Sequence, residues 1–429
     1  MAVRKPDRGD FYDELETMSA AKREQYLNRK LTAAVQLACE KAPSSAELIR
    51  RAGLDPKSIK TVKYLEKLPI TRKTDLLELE RKFPPYGGFL TVQAEEVERI
   101  FVTPGPLYEP MQVESIRWFA KAFWAAGFMK GDIVLNAFTY HMSPAGILMH
   151  ESLRDCGASV IPMGTGNTDI QVQTICDLKV NGYIGTPSFL MIIIKRAEEL
   201  GIDVPRQLQL RKSWFTGEML APSVRKILEE TYRIGTAQAY AVTEPGGAIA
   251  YECNQKSGMH LMDDYVVEIV DPVTGKQLNP GEQGEIVVTP IHNKVWGLLR
   301  FGTCDISYLI PEPCPCGRTS NRLGPLVGRT ADAVKIRGMF IVARQAEQVI
   351  CGFDSISRFQ LVVSRRAQRD ELTLKAELKT LSQDMSKLGE DINRLFQNVC
   401  RLKIDHFESI PAGSLPAERK IILDERRWD

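Results

Sequence analysis

From residue 113 to about 200 the chain repeats one pattern, an amphipathic helical segment followed by a short apolar run. VESIRWFAKAFWAAGF precedes DIVLNAF, AGILMHESLRDCG precedes SVIPMG, QVQTICDLKV precedes GYIGTPS, and FLMIIIKRAEELGI follows. Apolar residues at three and four spacing mark helices that cover one face, whereas short unbroken apolar runs fit strands buried on both sides. Their alternation predicts an α/β fold, a layered sheet with ligands at the carboxyl ends of its strands.

The flanking regions have other textures. In residues 11–52 charged and apolar residues alternate at helical spacing, with Ser45 as a candidate cap, so a helical segment is expected over about 1–80. Between 264 and 310 the short runs DYVVEIVDP, EQGEIVVTPI, GLLRFGT and DISYLIPE are joined by the turns DPVTGK and NPGEQG. They predict an antiparallel subdomain, which would span about 250–325 with the paired cysteines. After Gly328 the strands FQLVVSR and LTLKAELK and the helix MSKLGEDINRLFQNVCRL predict a small α+β domain. The expected division is a large unit at 1–329 and a small one at 330–429, and 429 residues are enough for two cores.

Composition removes several classes. With 44% hydrophobic and 26% charged residues the chain is neither disordered nor fibrous. A formal charge of +2 without a long run of one sign gives no electrostatic case for nucleic acid. No stretch approaches the ~18 apolar residues of a membrane helix, and MAVRKPDRGDFYDELETMSA lacks the apolar centre of a signal peptide. A cytoplasmic location without membrane contact is therefore expected. In that compartment the nine cysteines read as thiols, metal ligands or catalytic groups before disulfides.

Three of the cysteines and one histidine form two close pairs. Cys253 and His260 bracket CNQKSGMH, and Cys314 and Cys316 flank one proline in EPCPCGR. Thiolate and imidazole suit tetrahedral zinc, and four protein ligands would close the site and make it structural. Spacing alone equally fits loop cysteines and a hydrogen-bonded buried histidine, because the commoner zinc pair has two intervening residues. Cys39, Cys156, Cys176, Cys351 and Cys400 lie in apolar periodic segments and read as core thiols, and Cys304 reads as a packing residue.

The segment AQAYAVTEPGG (237–247) brings Tyr240, Thr243 and Glu244 onto one turn. Such a turn can stack a ring on a purine, offer a hydroxyl to phosphate and hold magnesium through a carboxylate. It stands in series with LEKLPITRKTDL (65–76), GTPSFL (185–190), WFTGEML (214–220), GMHLMDDYVVEIVDPVTGK (258–276), LLRFGTCDIS (298–307), PCPCGRT (313–319), VGRTADAVKIRGM (327–339) and SLPAERKIILDERR (414–427). In that order these motifs resemble the phenylacetate–CoA ligase family of adenylate-forming enzymes, over nearly the whole chain.

The resemblance implies a large domain with a small mobile one. It also implies conversion of an aromatic or related carboxylate, with ATP, magnesium and CoA, into a thioester through an acyl-adenylate. Gly217, Glu218 and Tyr240 then correspond to adenine contacts, Thr243 to the α-phosphate contact and Glu244 to the magnesium ligand. Asp305 corresponds to the ribose aspartate and Arg329 to the arginine of the domain junction. Lys420 corresponds to the lysine that reaches the reacting carboxylate, Arg337 and Gly338 to the hairpin of the CoA step, and the cysteine and histidine pairs to a structural zinc site. The acid would lie near NAFTYHMSPAG (136–146), where Phe138, Tyr140 and His141 can line a flat pocket.

Three motifs depart from the family pattern. The phosphate-loop segment reads FVTPGPLYEP (101–110): Thr103 and Gly105 remain as phosphate contacts, but Pro104 and Pro106 remove amide donors and Glu109 stands where a lysine is usual. The junction reads TADA, with Ala331 and Asp332, and SLPAERK is one residue short, with Arg419 beside Lys420. Two alternatives follow: transfer of the adenylate to an amine or carrier protein, and a non-catalytic nucleotide-binding homologue with a degenerate loop. Dimerisation is left open by the sequence.

Overall fold

A computed structural model of the chain describes residues 9–103, 107–111, 116–330, 333–337, 339–366, 369–379 and 385–426. The expectations at Gly105, Gly338, Pro104, Pro106, Ala331 and Asp332 lie outside the described residues, as does the side chain of Thr103.

The helical N-terminal segment is built from Ala20–Lys41 and Pro43–Arg51. Leu31, Val35 and Ala38 recur at helical spacing and turn one face inward, where they meet Ile49 and Leu65. Ser45 does not cap: the second helix begins at Pro43, whose fixed φ suits a first turn, and the buried Ser45 hydroxyl donates to the Gly297 carbonyl at 2.6 Å.

Each alternating segment of 116–199 forms its expected element: helices Ile116–Ala125, Ala145–Asp155, Thr168–Asp177 and Pro187–Glu199, and strands Ile133–Asn136, Ser159–Pro162 and Gly182–Gly185. These strands pair in parallel with one another and, through Lys212–Phe215, with Gly235–Val242. The sheet then continues antiparallel through Gly247–Glu252, Met259–Leu261, Arg322–Leu323 and Leu309–Ile310, reaching nine strands. The strand order turns at Ile133–Asn136, which pairs with Ser159–Pro162 on one side and Gly182–Gly185 on the other. Helices cover both faces, packing Phe123, Phe128 and Trp214 into one core and Tyr183, Ile193 and Phe215 into another.

The expected antiparallel unit is a separate sheet of Tyr265–Val270, Gly284–Pro290, Phe301–Ser307 and Gly328–Arg329. It is joined to the N-terminal helices through Arg300, which is 2% exposed. The guanidinium spans both Glu268 carboxylate oxygens at 3.0–3.2 Å and donates to the Glu66, Leu68 and Gly275 carbonyls. A buried charge is tolerated only when it is paired and hydrogen-bonded in this way. The cysteine and histidine pairs do not belong to this sheet: Cys253, His260 and the loop carrying Cys314 and Cys316 all flank or lie in strands of the nine-stranded sheet.

Residues 336–422 gather a core of their own, with Ile336, Leu361, Leu374, Phe396 and Ile422 in one cluster. Its sheet runs His406–Ile410, Arg369–Leu378, Ile356–Arg366 and Ile422–Asp424, and helices Ala343–Ile350 and Met385–Cys400 pack together. Of the expected core thiols Cys156 and Cys400 are buried and Cys39 and Cys176 half-buried, but Cys351 is exposed because it ends its helix. Among the described residues no helix is long and apolar enough to cross a membrane.

Candidate active site

The carboxyl ends of the central parallel strands open into a cleft of about 1720 Å³, lined on one side by Gly217, Glu218, Tyr240, Asp305 and Arg329. Gln348, Asn398 and Arg401 of the C-terminal region line the other side. This is where side chains carried beyond the strand ends converge in a doubly wound sheet.

Asp305 reaches the cleft because its strand bulges. Glu285 pairs with Ile306 and Val287 with Gly302, so the ladder slips between them and Cys304 takes φ 62°. A bulge of this kind re-aims the next side chain. The Glu285 carboxylate accepts from the Cys304 amide at 3.1 Å and the Thr303 hydroxyl from the Asp305 amide at 3.1 Å, which hold the turn-out. Asp305 Oδ2 then accepts from the Tyr240 hydroxyl at 2.8 Å, and Oδ1 lies 3.4 Å from Arg329 Nε on the paired strand. Burial pushes the Asp305 carboxyl up, and Tyr240 and Arg329 oppose that shift. Burial, then the facing carboxylate, pushes the Tyr240 hydroxyl well above its ordinary range, so it remains a donor.

Tyr240 is not on the turn with Thr243 and Glu244, as expected from the sequence; it lies in the strand Gly235–Val242, 6% exposed, and the turn begins at Thr243. Glu244 is engaged by Lys73 Nζ at 2.7 Å. Gly217 has φ +78° with open space where a Cβ would point, which suits a turn over which a ligand can lie. Glu218 accepts from the Ser188 hydroxyl at 2.5 Å and faces the start of helix Pro187–Glu199, where a negative charge is favoured.

The phosphate-loop segment forms the hairpin Arg99–Thr103 and Leu107–Met111. Glu109 stands opposite Phe101 and both are 5% exposed, so the carboxylate points into the protein. The Tyr108 amide donates to Glu80 at 3.3 Å, and burial pushes the Glu80 carboxyl up to about 7.

Other expected residues stand apart. Tyr140 turns back toward the sheet, accepting from Asn136 at 2.7 Å and lying 3.1 Å from His150 Nδ1. Phe138 packs on the core that contains Tyr240, and His141 is exposed. Lys420 is exposed and outside the cleft lining, its carbonyl accepting from Gln360 Nε2 at 2.9 Å. Arg337 binds Asp405 at 3.2 Å and the Lys403 carbonyl at 2.7 Å, within the C-terminal region. Lys73, Ser188 and the Tyr240–Asp305 bond escape sequence reasoning, because each joins segments 30 to 171 residues apart.

The second cluster brings Cys253, His260, Cys314 and Cys316 together, with ligand atoms within 4.8 Å of one another. A tetrahedral zinc requires sulfur–sulfur edges of about 3.8 Å and sulfur–nitrogen edges of about 3.6 Å. Cys253 and Cys314 sulfurs lie 3.7 Å apart, and Cys316 Sγ lies 3.3 Å from His260 Nε2. The donor types thus suit zinc, and two of the six edges of the cluster are close to those of a tetrahedral site. The other ring nitrogen, Nδ1, faces the Ser320 hydroxyl at 3.4 Å. Arg318, just beyond the ligands, donates to Glu16 at 2.5 Å, and Glu16 also accepts from Tyr251 at 2.7 Å, so the cluster abuts the anchorage of the N-terminal segment.

Residues 113–292 match the model of the AMP-binding enzyme family. The chain is 31% identical over 380 residues to phenylacetate-coenzyme A ligase of Thermus thermophilus, covering 86% of this chain and 84% of the relative. It is 30% identical over 383 residues to the Escherichia coli K12 protein of the same name, covering 86% of each. Among solved structures, an open conformation of 2-hydroxyisobutyryl-CoA ligase with 2-HIB-AMP and CoA matches with TM-score 0.90 and 23% identity, over 98% of this chain and 96% of that one. The thioesterification state of that ligase gives 0.72, over 97% and 93%.

Proposed function

The chain belongs to the phenylacetate–CoA ligase family and is an acid–CoA ligase that works through an acyl-adenylate; on that premise we propose that the cleft at Tyr240 and Asp305 is its active site. The observation that carries the reading is the re-aimed Asp305, whose carboxylate is already oriented by a buried tyrosine and faces open volume. An aspartate so held can accept both hydroxyls of a ribose. Gly217 and Glu218 would edge the adenine, with Thr243 at the α-phosphate and Glu244 as the ligand of the magnesium that accompanies ATP. A carboxylate oxygen of the acid attacks the α-phosphorus and pyrophosphate leaves; the CoA thiol then attacks the acyl carbon and AMP leaves.

The small C-terminal domain, from about residue 330, would supply Lys420 for the first step and the Arg337 hairpin for the second. Both are outside the cleft here, and the match, fuller to an open conformation than to a thioesterification state, supports an open arrangement of the small domain. Rotation about the junction after Arg329 would bring each in turn. The acid is aromatic or related in type, with Phe138 and His141 as wall candidates; Tyr140 is better placed to brace the strand end through Asn136. Zinc at Cys253, His260, Cys314 and Cys316 would be structural, since four protein ligands leave no open position.

The test is a panel of aromatic and related acids with ATP, magnesium and CoA, read by mass spectrometry of the products. A CoA thioester from at least one acid is expected. Acyl-adenylate that never reaches CoA but acylates an added amine would favour the amine-transfer reading, and AMP binding without any product would favour a non-catalytic homologue.

A further inference from the structure

We infer that Lys73 supplies the cation for the β- and γ-phosphates of ATP that the phosphate-loop hairpin lacks; the inference rests on the acid–CoA ligase reading. A triphosphate needs neutralising charge in addition to its magnesium, and a lysine point charge commonly provides it. Between residues 99 and 111 the one basic residue is Arg99, at the end of the hairpin farthest from its tip, opposite Met111. Glu109 replaces the usual lysine and is turned inward beside Phe101, so it neither attracts nor directly repels phosphate.

Lys73 opens a helix that joins the hairpin to the strand of Asp305. Its helix, Lys73–Lys82, packs against both the strand Leu107–Met111 and the strand Phe301–Ser307, which carries Asp305. The residues just before it are fixed: the Thr71 amide donates to the Arg300 carbonyl at 2.9 Å, the Thr71 carbonyl accepts from Gly302 at 3.0 Å, and Arg72 pairs with Glu285. From this anchored backbone Lys73 Nζ meets Glu244 Oε1 at 2.7 Å. The carboxylate is 9% exposed but the lysine side chain is 44% exposed, so an incoming anion can reach the ammonium group without displacing the protein around it. Glu244 would hold the magnesium that accompanies ATP, and in doing so would release Lys73 to the outer phosphates. Without ATP the pair compensates two charges that would otherwise stand alone beside a partly buried turn.

The experiment compares wild type with Lys73→Met and Lys73→Arg in acid-dependent exchange of pyrophosphate into ATP, and measures AMP affinity by calorimetry. Lys73→Met should raise the KM for ATP and the inhibition constant for pyrophosphate at least tenfold, and the dissociation constant for AMP, which lacks both outer phosphates, less than twofold. Lys73→Arg should recover most of the loss. Equal weakening of ATP and AMP, as a merely structural partner of Glu244 would give, overturns the inference, and so does an unchanged KM in active protein. A wild type that exchanges pyrophosphate with no acid removes the ligase reading and this inference together.

Discussion

The Tyr240 hydroxyl donates to Asp305 Oδ2 at 2.8 Å across 65 residues of sequence, joining the last strand of the parallel sheet to the bulged strand of the antiparallel one. The bond orients the Asp305 carboxylate through Oδ2, and Tyr240 can only donate because burial keeps its proton in place. Tyr240→Phe removes the donor and leaves a buried carboxylate less satisfied. A hydrogen bond to a charged group contributes about 1.5–3 kcal/mol, so kcat/KM for ATP should fall roughly ten- to a hundredfold. Steady-state kinetics with ATP varied checks this, and an unchanged value would detach Tyr240 from the site.

The candidate zinc site makes a different prediction, because Cys253, His260, Cys314 and Cys316 lie beside the anchorage of the N-terminal segment and outside the cleft lining. Cys314→Ser should abolish bound zinc, measured by elemental analysis, and lower the melting temperature by roughly 5 °C or more, with most turnover kept at low temperature. Hydrogen exchange should rise first around Glu16 and Arg318. A variant that retains a full equivalent of zinc contradicts the ligand assignment.

Glu80 gives a pH dependence. Its carboxyl is raised in the folded state to about 7 from an ordinary value of 4.5. The folded protein therefore binds more protons than the unfolded chain between those values, and this group's contribution to stability is complete below about 4.5 and lost as pH rises through about 7. Glu80→Gln, which keeps the neutral shape, should flatten that slope and make the protein more stable than wild type at pH 8. Urea melts at pH 5 and pH 8 measure the difference; parallel slopes for the two proteins would refute it.

Arg300 and Glu268 are both buried, with side chains 2% and 1% exposed. Removing one member of such a pair leaves an uncompensated charge, which costs about 3–5 kcal/mol. Arg300→Met should show that loss in chemical denaturation, and Arg300→Met with Glu268→Leu should recover much of it.

The parts of this molecule that were legible in the sequence are those whose signal is local. Helical spacing in FLMIIIKRAEELGI and the apolar run of SVIPMG state their own conformation, and the helix and strand appear at Pro187–Glu199 and Ser159–Pro162. The residues of the candidate metal site are legible as two close pairs, although their place in and beside the short strands at one end of the nine-stranded sheet is not, since strands as short as Arg322–Leu323 carry almost no periodicity. Tyr240 reads as a turn residue because AQAYAVTEPGG contains a clear turn signal at its end and no mark of where the strand stops. The charge relations around the cleft were the least legible. Whether Glu109 faces phosphate or core depends on strand register, where one residue inverts the side chain, and Lys73 finds Glu244 only after the helix, the hairpin and two sheets have assembled.

The central claim is that the cleft around Asp305 forms an acyl-adenylate. Exchange of labelled pyrophosphate into ATP measures that step alone, without CoA. Wild type should exchange label only when a suitable carboxylic acid is present, and Asp305→Asn, which removes the charge proposed to order the ribose hydroxyls, should lower the rate at least a hundredfold while its melting temperature stays near that of wild type. Undiminished exchange in folded Asp305→Asn protein would contradict the account.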